Sequence, residues 1–286
     1  MVSREEMRIN IDIANHHKCD FVRELGRGSF GVAFLVVNEQ KEKMVIKRNM
    51  SAARALEFEQ EFEIHKELTS QKDASANLIK VFSINEHFNQ KFMFMEYGEL
   101  NCLMMKDKLM LELNPTLRKD FGRQLVNGVS YIHSKGVVHR DIKGDNLLVT
   151  ANHVLKIADF GMAEKYVDND GKPITLSSNK GTLRYCAPEI FLPDQVEGPP
   201  TDIWSCGIIM FFLLTGTFPF KQARQNNQAY IDYENNQFAD SWKVLDVNAN
   251  TVIRNMLMIS VEERATIEMV QAHPWFSNTP VRNDSI

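Results

Sequence analysis

Three glycines within six residues, Gly26-Arg27-Gly28-Ser29-Phe30-Gly31, make a turn with enough bare backbone N–H to lie against phosphate oxygens. The GxGxxG spacing is weak by itself, because it arises by chance and also marks dinucleotide-binding turns. The residues after the glycines discriminate. A dinucleotide fold starts a helix directly there, whereas here Val32-Ala33-Phe34-Leu35-Val36-Val37 reads as a strand. Strand, glycine turn and strand make a hairpin able to cover phosphates. Lys47 closes a second apolar strand, Met44-Val45-Ile46-Lys47, where a lysine alone would more often snorkel to water. Further along stand His139-Arg140-Asp141-Ile142-Lys143-Gly144-Asp145-Asn146, then Asp159-Phe160-Gly161 eighteen residues after Asp141, then Ala187-Pro188-Glu189. Each run is ambiguous alone, but chance does not assemble all of them in this order. A P-loop is excluded by the absence of GxxxxGK[ST].

This ordered set, GxGxxG, VIK, HRDIKxxN, DFG and APE, resembles the protein kinase family from about Phe21 to Phe276. The resemblance implies a two-lobed α+β fold, with a small antiparallel-sheet N-lobe and a mainly helical C-lobe. It implies ATP and Mg²⁺ as cofactors and transfer of the γ-phosphate to a protein hydroxyl. Phosphoryl transfer offers little covalent chemistry for a protein to perform, so positioning and charge neutralisation dominate. On that reading Asp141 orients the attacking hydroxyl and accepts its proton, and Lys143 turns a cation toward the transferring phosphate. Asp159 and the Asn146 amide oxygen are the hard ligands that Mg²⁺ requires. Lys47 grips the α- and β-phosphates, held by a helical carboxylate. Among Glu57, Glu59, Glu61 and Glu63 the family pattern favours Glu61, with Ile64 three residues on, and Glu57 fits one turn earlier. The nucleotide would lie against Leu25, Gly26, Arg27, Gly28, Ser29, Phe30, Gly31, Val32, Ala33, Val45, Met95, Glu96, Gly98 and Leu148. Because Lys47, Asp141, Asn146 and Asp159 are all present, an active enzyme is expected rather than a pseudokinase scaffold. Lys47→Met is expected to spare folding, since a cleft cation contributes little to stability.

Those groups need elements to hold them. Up to about Tyr97 the chain is rich in short β-type runs, Phe34–Val37, Met44–Ile46, Leu78–Phe82 and Phe92–Met95, interrupted by a charged helical segment, Ala52–Leu68. From about Leu100 the texture is helical. Phe121, Leu125, Val129 and Ile132 recur at spacings of three and four within Arg118–His133. Asp202–Leu214, Thr251–Leu257 and Thr266–Ala272 are further helices, and the long non-periodic stretch from Asp159 to Glu189 reads as a functional loop. The expected organisation is an N-terminal extension (1–20), a kinase domain (21–276, lobes about 21–97 and 99–276) and a tail (277–286). Late in the chain, Arg264 is the candidate partner of Glu189, and Asp202 of DIWSCG is the candidate brace of the catalytic loop.

Composition adds exclusions. The chain has 286 residues, a net charge of −4, 44% hydrophobic and 24% charged residues, which is ordinary for a soluble globular protein without a basic field for nucleic acid. Ile208–Leu214 is too short to span a membrane and reads as a buried helix. The four cysteines, Cys19, Cys102, Cys186 and Cys206, show no paired spacing and read as reduced thiols. His16-His17-Lys18-Cys19 reads as a solvated tail rather than a metal site. No leader-like apolar segment is seen. A monomer in the nucleus or cytoplasm, without membrane or direct nucleic-acid partners, is expected.

Finer features point to a subfamily. Gly181-Thr182-Leu183 with Lys143 resembles serine/threonine kinases. Together with Asp202–Ile209, Gly216-Thr217-Phe218-Pro219-Phe220 and Tyr230-Ile231-Asp232-Tyr233, it resembles the DNA-damage checkpoint effector kinases of the calcium/calmodulin-kinase-like group. Glu99 and Asp145 match positions where arginine-selecting kinases place acids, which implies substrates with Arg three residues before the phosphoacceptor. Ser178, with Thr175 and Ser177 beside it, is where a phosphate would face Arg140 and order the loop. Four departures stand out. Ala33 replaces a usual valine and Val45 a usual alanine, a swap that nearly conserves volume. The linker after Phe94-Met95-Glu96-Tyr97-Gly98 is about three residues short, and His65 stands where an apolar residue usually packs.

Overall fold

The computed structural model describes residues 4–28, 31–87, 89–101 and 114–276. Ser29 and Phe30 of the glycine turn, Cys102, and the tail 277–286 lie outside the described residues. The chain divides into two compact units, with the division between Glu99 and Leu100; residues 75–77 belong to the second unit.

The first unit begins with a helix, α1 (Arg4–His16), and a strand, β1 (Cys19–Gly28). At His16–Cys19, His16 and Lys18 are exposed as expected of a solvated stretch, whereas His17 is half-buried and Cys19 buried. Ile13 and Ala14 are fully buried and Cys19 nearly so, in one cluster with Phe34, Val36, Ile46, Phe92 and Phe94. Ile9 and Ile13, four apart, supply the helical stripe. The intervening Ile11 makes the segment look like an alternation of single apolar residues. His16 stacks on His87 with ring centroids 3.9 Å apart, and His17 meets Phe92 and Phe94 edge-on. Burial, and then the neighbouring imidazoles, lower the His17 pKa.

Strands β2 (Gly31–Asn38), β3 (Lys43–Arg48), β4 (Val81–His87) and β5 (Gln90–Glu96) complete an antiparallel sheet of order β1-β2-β3-β5-β4. Leu78 and Ile79, read from sequence as the start of a strand, are buried but precede it. Helix α2 (Ala55–Thr69) buries Phe58, Glu61, Phe62, His65 and Leu68, which share one face at helical spacing. Its phenylalanines pack with Val81 and Met93. His65 is fully buried, and its Nε2 lies 2.6 Å from the Ile79 carbonyl oxygen, tying α2 to the chain entering β4. An apolar side chain could not make that bond.

In the second unit β6 (Leu100–Asn101) leads on to α3 (Pro115–Ser134), which starts on Asn114. The Asn114 side chain accepts the Thr116 N–H, and proline occupies the first turn, where its missing donor costs nothing. The four apolar residues read from its sequence are all fully buried. Short strands come next: β7 (Val137–Val138), β8 (Leu147–Val149), β9 (Leu155–Ile157), β10 (Glu164–Lys165), β11 (Leu176–Ser177) and β12 (Gln195–Val196). They pair as β6-β8-β9, β10-β7 and β11-β12. Helix α4 (Gly198–Thr215) is buried from Thr201 to Leu213, as its apolar run requires, and stops at Gly216 in the left-handed region. Helices α5 (Gln228–Glu234), α6 (Val247–Met256) and α7 (Ile267–Ala272) complete the unit. Cys19, Cys186 and Cys206 are free thiols and buried, and burial pushes the Cys186 pKa up to about 12, which leaves it unreactive. Among the described residues no helix is long and apolar enough to cross a membrane.

Candidate active site

Each unit carries candidate site residues of its own. In the first, β1 and β2 run into the glycine turn in register, with Gly26 opposite Ala33 and Gly28 opposite Gly31. A Cβ added at Gly26 or Gly28 would meet nothing within 4 Å, so their backbone faces open space, as a phosphate cradle needs. Gly31 is glycine for a different reason. Its φ is +141°, and a Cβ there would come within 2.2 Å of the Arg48 carbonyl oxygen. The Arg27 side chain turns away, to Glu24 at 3.2 Å and to Glu6 of α1 at 3.0 Å.

Lys47 is 8% exposed, and its Nζ lies 2.5 Å from Glu61 Oε1. Glu61 takes this place because it lies on the buried face of α2, between Phe58 and His65. The other glutamates are on other faces: Glu57 sits 3.9 Å from Arg54, Glu59 pairs with Lys91, and Glu63 is exposed. Strand register sets Ala33 opposite Lys47 and Leu35 opposite Val45, so Ala33 and Val45 are diagonal neighbours on one face. Val32 falls on the opposite face by strand alternation. Met95 pairs with Val45, Glu96 accepts the Lys80 N–H at 3.1 Å, and Leu25 and Gly98 are half-buried nearby in sequence.

The second unit holds Asp141 in a dense polar network. Asp141 is 5% exposed and accepts from Thr182 Oγ1 at 2.7 Å through Oδ1 and from Lys143 Nζ at 2.6 Å through Oδ2. Asn146 Nδ2 donates to the Asp141 backbone oxygen at 2.9 Å, which commits the amide nitrogen and leaves the amide oxygen to ligate. Asp159 is half-buried with φ +64°, and Leu148 is half-buried on β8. Among the described residues no cluster of three or more His, Cys, Asp or Glu stands ready for a metal.

The loop carrying Asp141 is fixed from below. Asp202, 1% exposed on α4, accepts the backbone N–H of His139 and of Arg140, each at 2.8 Å, and lies 3.0 Å from His133 Nε2. Burial opposes its charge, but the His133 hydrogen bond and the two neighbouring histidines outweigh it and hold the carboxyl below its usual range. Arg140 has φ +66°, a strained conformation that these bonds stabilise. Glu189 and Arg264 form a two-bond pair at 2.5 and 2.9 Å, with Arg264 also donating to the Pro200 and Met258 carbonyls. Asp145 is exposed, whereas Glu99 in the first unit sits 3.9 Å from Lys43.

Sequence reasoning missed one member of this region, Glu164. Its carboxylate binds both Arg140 and Lys180. Nothing local marks it, because both partners are distant in sequence.

The chain is similar to known protein kinases. The protein kinase domain pattern matches residues 19–276. The serine/threonine-protein kinase chk-1 of Caenorhabditis briggsae is 36% identical over 263 residues, covering 90% of this chain and 53% of that protein. Its namesake in Caenorhabditis elegans is also 36% identical, over 90% of this chain and 52% of that protein. Serine/threonine-protein kinase chk1 of Schizosaccharomyces pombe is 32% identical, over 91% and 54% respectively. The chain thus spans about half the length of these relatives.

Proposed function

Because the chain belongs to the protein kinase domain family, we propose that it is an active ATP-dependent serine/threonine kinase acting in nuclear or cytoplasmic checkpoint signalling. The observation that carries this reading is the Asp141 network, a buried carboxylate held between Lys143, Thr182 and Asn146. Bound Mg²⁺-ATP would supply the transferable phosphoryl group and the charge that neutralises it. Asn146 and Asp159 would hold the metal, and the open backbone at Gly26 and Gly28 with Lys47 would hold the phosphates. Asp141 orients the incoming serine or threonine hydroxyl and takes its proton. Lys143, already 2.6 Å from Asp141, adds a cation where negative charge develops. The relatives named chk-1 and chk1 support the checkpoint assignment.

For substrate choice, Asp145 is exposed and adjacent to the catalytic loop, and carboxylates pair best with the planar guanidinium fork. The test is purified protein with Mg²⁺-ATP on a degenerate peptide library, run beside an Asp141→Asn control. The expected profile is phosphorylation of serine and threonine with enrichment of arginine three residues upstream. Asp145→Arg should erase that enrichment while transfer continues. A library without upstream arginine would remove this part of the reading. No transfer on any peptide would leave the pseudokinase scaffold standing.

A second expectation concerns the base pocket. Ala33 and Val45 share a face as diagonal neighbours, so their opposite changes in volume compensate. Ala33→Val should overpack the face and raise the ATP requirement, and adding Val45→Ala should relieve it. Titration of ATP binding to the four proteins should give a coupling of roughly 0.5–3 kcal/mol, as for side chains in contact. Additive effects would refute the compensation.

A further inference from the structure

We infer that Asn10 is a positioning residue for the nucleotide, because with Glu6 it ties both limbs of the glycine turn to helix α1. The inference rests on the proposed kinase activity and concerns how that site is held. Lys47 and Arg48 are consecutive on β3, so strand alternation sends their side chains to opposite faces of the sheet. Glu61 of α2 meets Lys47 on one face. On the other, Arg48 Nε donates to Asn10 Oδ1 at 2.8 Å. Two helices therefore grip the end of one strand from its two sides.

The Arg48 guanidinium is buried with little charge to meet it. Arg48 is 3% exposed and Asn10 1% exposed. Its partners among the described residues are neutral oxygens, Asn10 Oδ1 and, at 3.0 Å, Gln90 Oε1, and its buried Nη2 has no hydrogen-bond partner. Burial lowers its pKa; Glu6 and Glu24 oppose that shift and Arg27 adds to it. Both of those carboxylates are drawn to Arg27 instead. A buried charge without a counter-ion is costly unless its hydrogen bonds are kept. A slide of α1 by one residue would break the Asn10 bond and bury both groups unpaired, so the amide fixes where the helix docks.

Arg48 reaches the glycine turn through its backbone. It stands opposite Val32 in the β2–β3 register, and its carbonyl oxygen would lie 2.2 Å from a Cβ on Gly31. The returning limb of the turn therefore rests on Arg48 itself. The outgoing limb is held by the same helix one turn earlier. Glu6 Oε1 accepts from Arg27 Nη1 at 3.0 Å, and Arg27 precedes Gly28, whose backbone faces open space. Glu6 and Asn10 are four residues apart, on one face of α1. One face of one helix thus holds both limbs.

The experiment compares the full chain with Asn10→Ala, Asn10→Asp and Glu6→Gln. It reads kcat and the KM for ATP on a peptide substrate, Mg²⁺-ADP affinity by calorimetry, and hydrogen exchange across residues 24–35 and across α2. Asn10→Ala should raise the KM for ATP and the ADP dissociation constant roughly 5- to 20-fold, within the factor carried by one hydrogen bond to a charged group. At saturating ATP its kcat should stay within about twofold of the parent, the mark of lost ground-state binding. Exchange should rise across residues 24–35 and hold at the parent level in α2. Asn10→Asp keeps the oxygen and adds the missing counter-charge, so its KM, ADP affinity and exchange should match the parent. Glu6→Gln loosens a partly solvated ion pair, where folding is not at stake, and should raise the KM roughly two- to threefold with faster exchange near Arg27. The inference is overturned if Asn10→Ala keeps the parent's affinity and exchange or, where that variant does not fold, if Glu6→Gln does. It is equally overturned if kcat falls while KM holds, if exchange rises as much in α2, or if Asn10→Asp is as weak as Asn10→Ala. A parent that binds Mg²⁺-ADP but transfers no phosphate defeats the kinase reading alone; a parent that binds no nucleotide overturns both.

Discussion

Asp141→Asn should abolish phosphoryl transfer, with single-turnover rates falling roughly 10²–10⁴-fold, the usual contribution of a positioned general base. The substitution is nearly isosteric, but the structure shows why its effect extends past the missing base. Both Asp141 oxygens accept hydrogen bonds, one from Thr182 and one from Lys143. An asparagine retains one acceptor and presents an NH₂ to a donor on the other side. The asparagine oxygen can keep Lys143 only as a neutral partner, and the Thr182 hydroxyl must turn from donor to acceptor to keep its own contact, which loosens the start of the segment that comes after Gly181. The variant should therefore bind nucleotide, fold cooperatively, and show faster hydrogen exchange around Thr182. Thr182→Ala makes a useful companion, because it frees one Asp141 oxygen without removing the carboxylate, and its loss of rate should be smaller. A near-normal single-turnover rate for Asp141→Asn would show that another group takes the proton.

How much of this was legible before the structure depends on whether the information was local. The glycine turn, the lysine-ending strand and the HRD, DFG and APE runs are read within a few residues. The helical face Phe121–Leu125–Val129–Ile132 is a local period and lies buried as read. Helix α1 was hidden because Met7, Ile9, Ile11 and Ile13 alternate along the sequence, so only the docked helix reveals which of them bury. Choosing Glu61 over Glu57 needed the buried face of α2, which Phe58, Phe62 and His65 mark once the helix phase is known. Glu164 was illegible for a different reason. It reads as one more solvated acid until the fold brings Arg140 and Lys180 to it across 24 and 16 residues of chain. The same holds for His65, whose partner is a backbone carbonyl fourteen residues away.

Burial also reverses the expectation for Lys47. A solvated cleft lysine would be dispensable for folding, but this one has a side chain 10% exposed against a Glu61 side chain 2% exposed, at 2.5 Å. Removing one partner of a buried ion pair takes the nearest counter-charge from the other in a medium that solvates charge poorly. The cost is typically about 3–5 kcal/mol. Lys47→Met should therefore lose most transfer and also lower the unfolding free energy by about that amount, measured by urea denaturation with a parallel thermal scan. The two losses separate in a double variant. Replacing a whole buried pair with apolar residues of similar volume is often neutral or stabilising, so Lys47→Met/Glu61→Leu should regain most of the stability and none of the activity. The activity belongs to the cation, which has no apolar substitute, whereas the stability belongs to the balance of the pair. Glu61→Leu alone should again be destabilised, since Lys47 would then lose the carboxylate 2.5 Å from it. If Lys47→Met unfolds at the parent's urea midpoint, water reaches Glu61 in solution, and the pair holds the lysine in position without contributing to the fold.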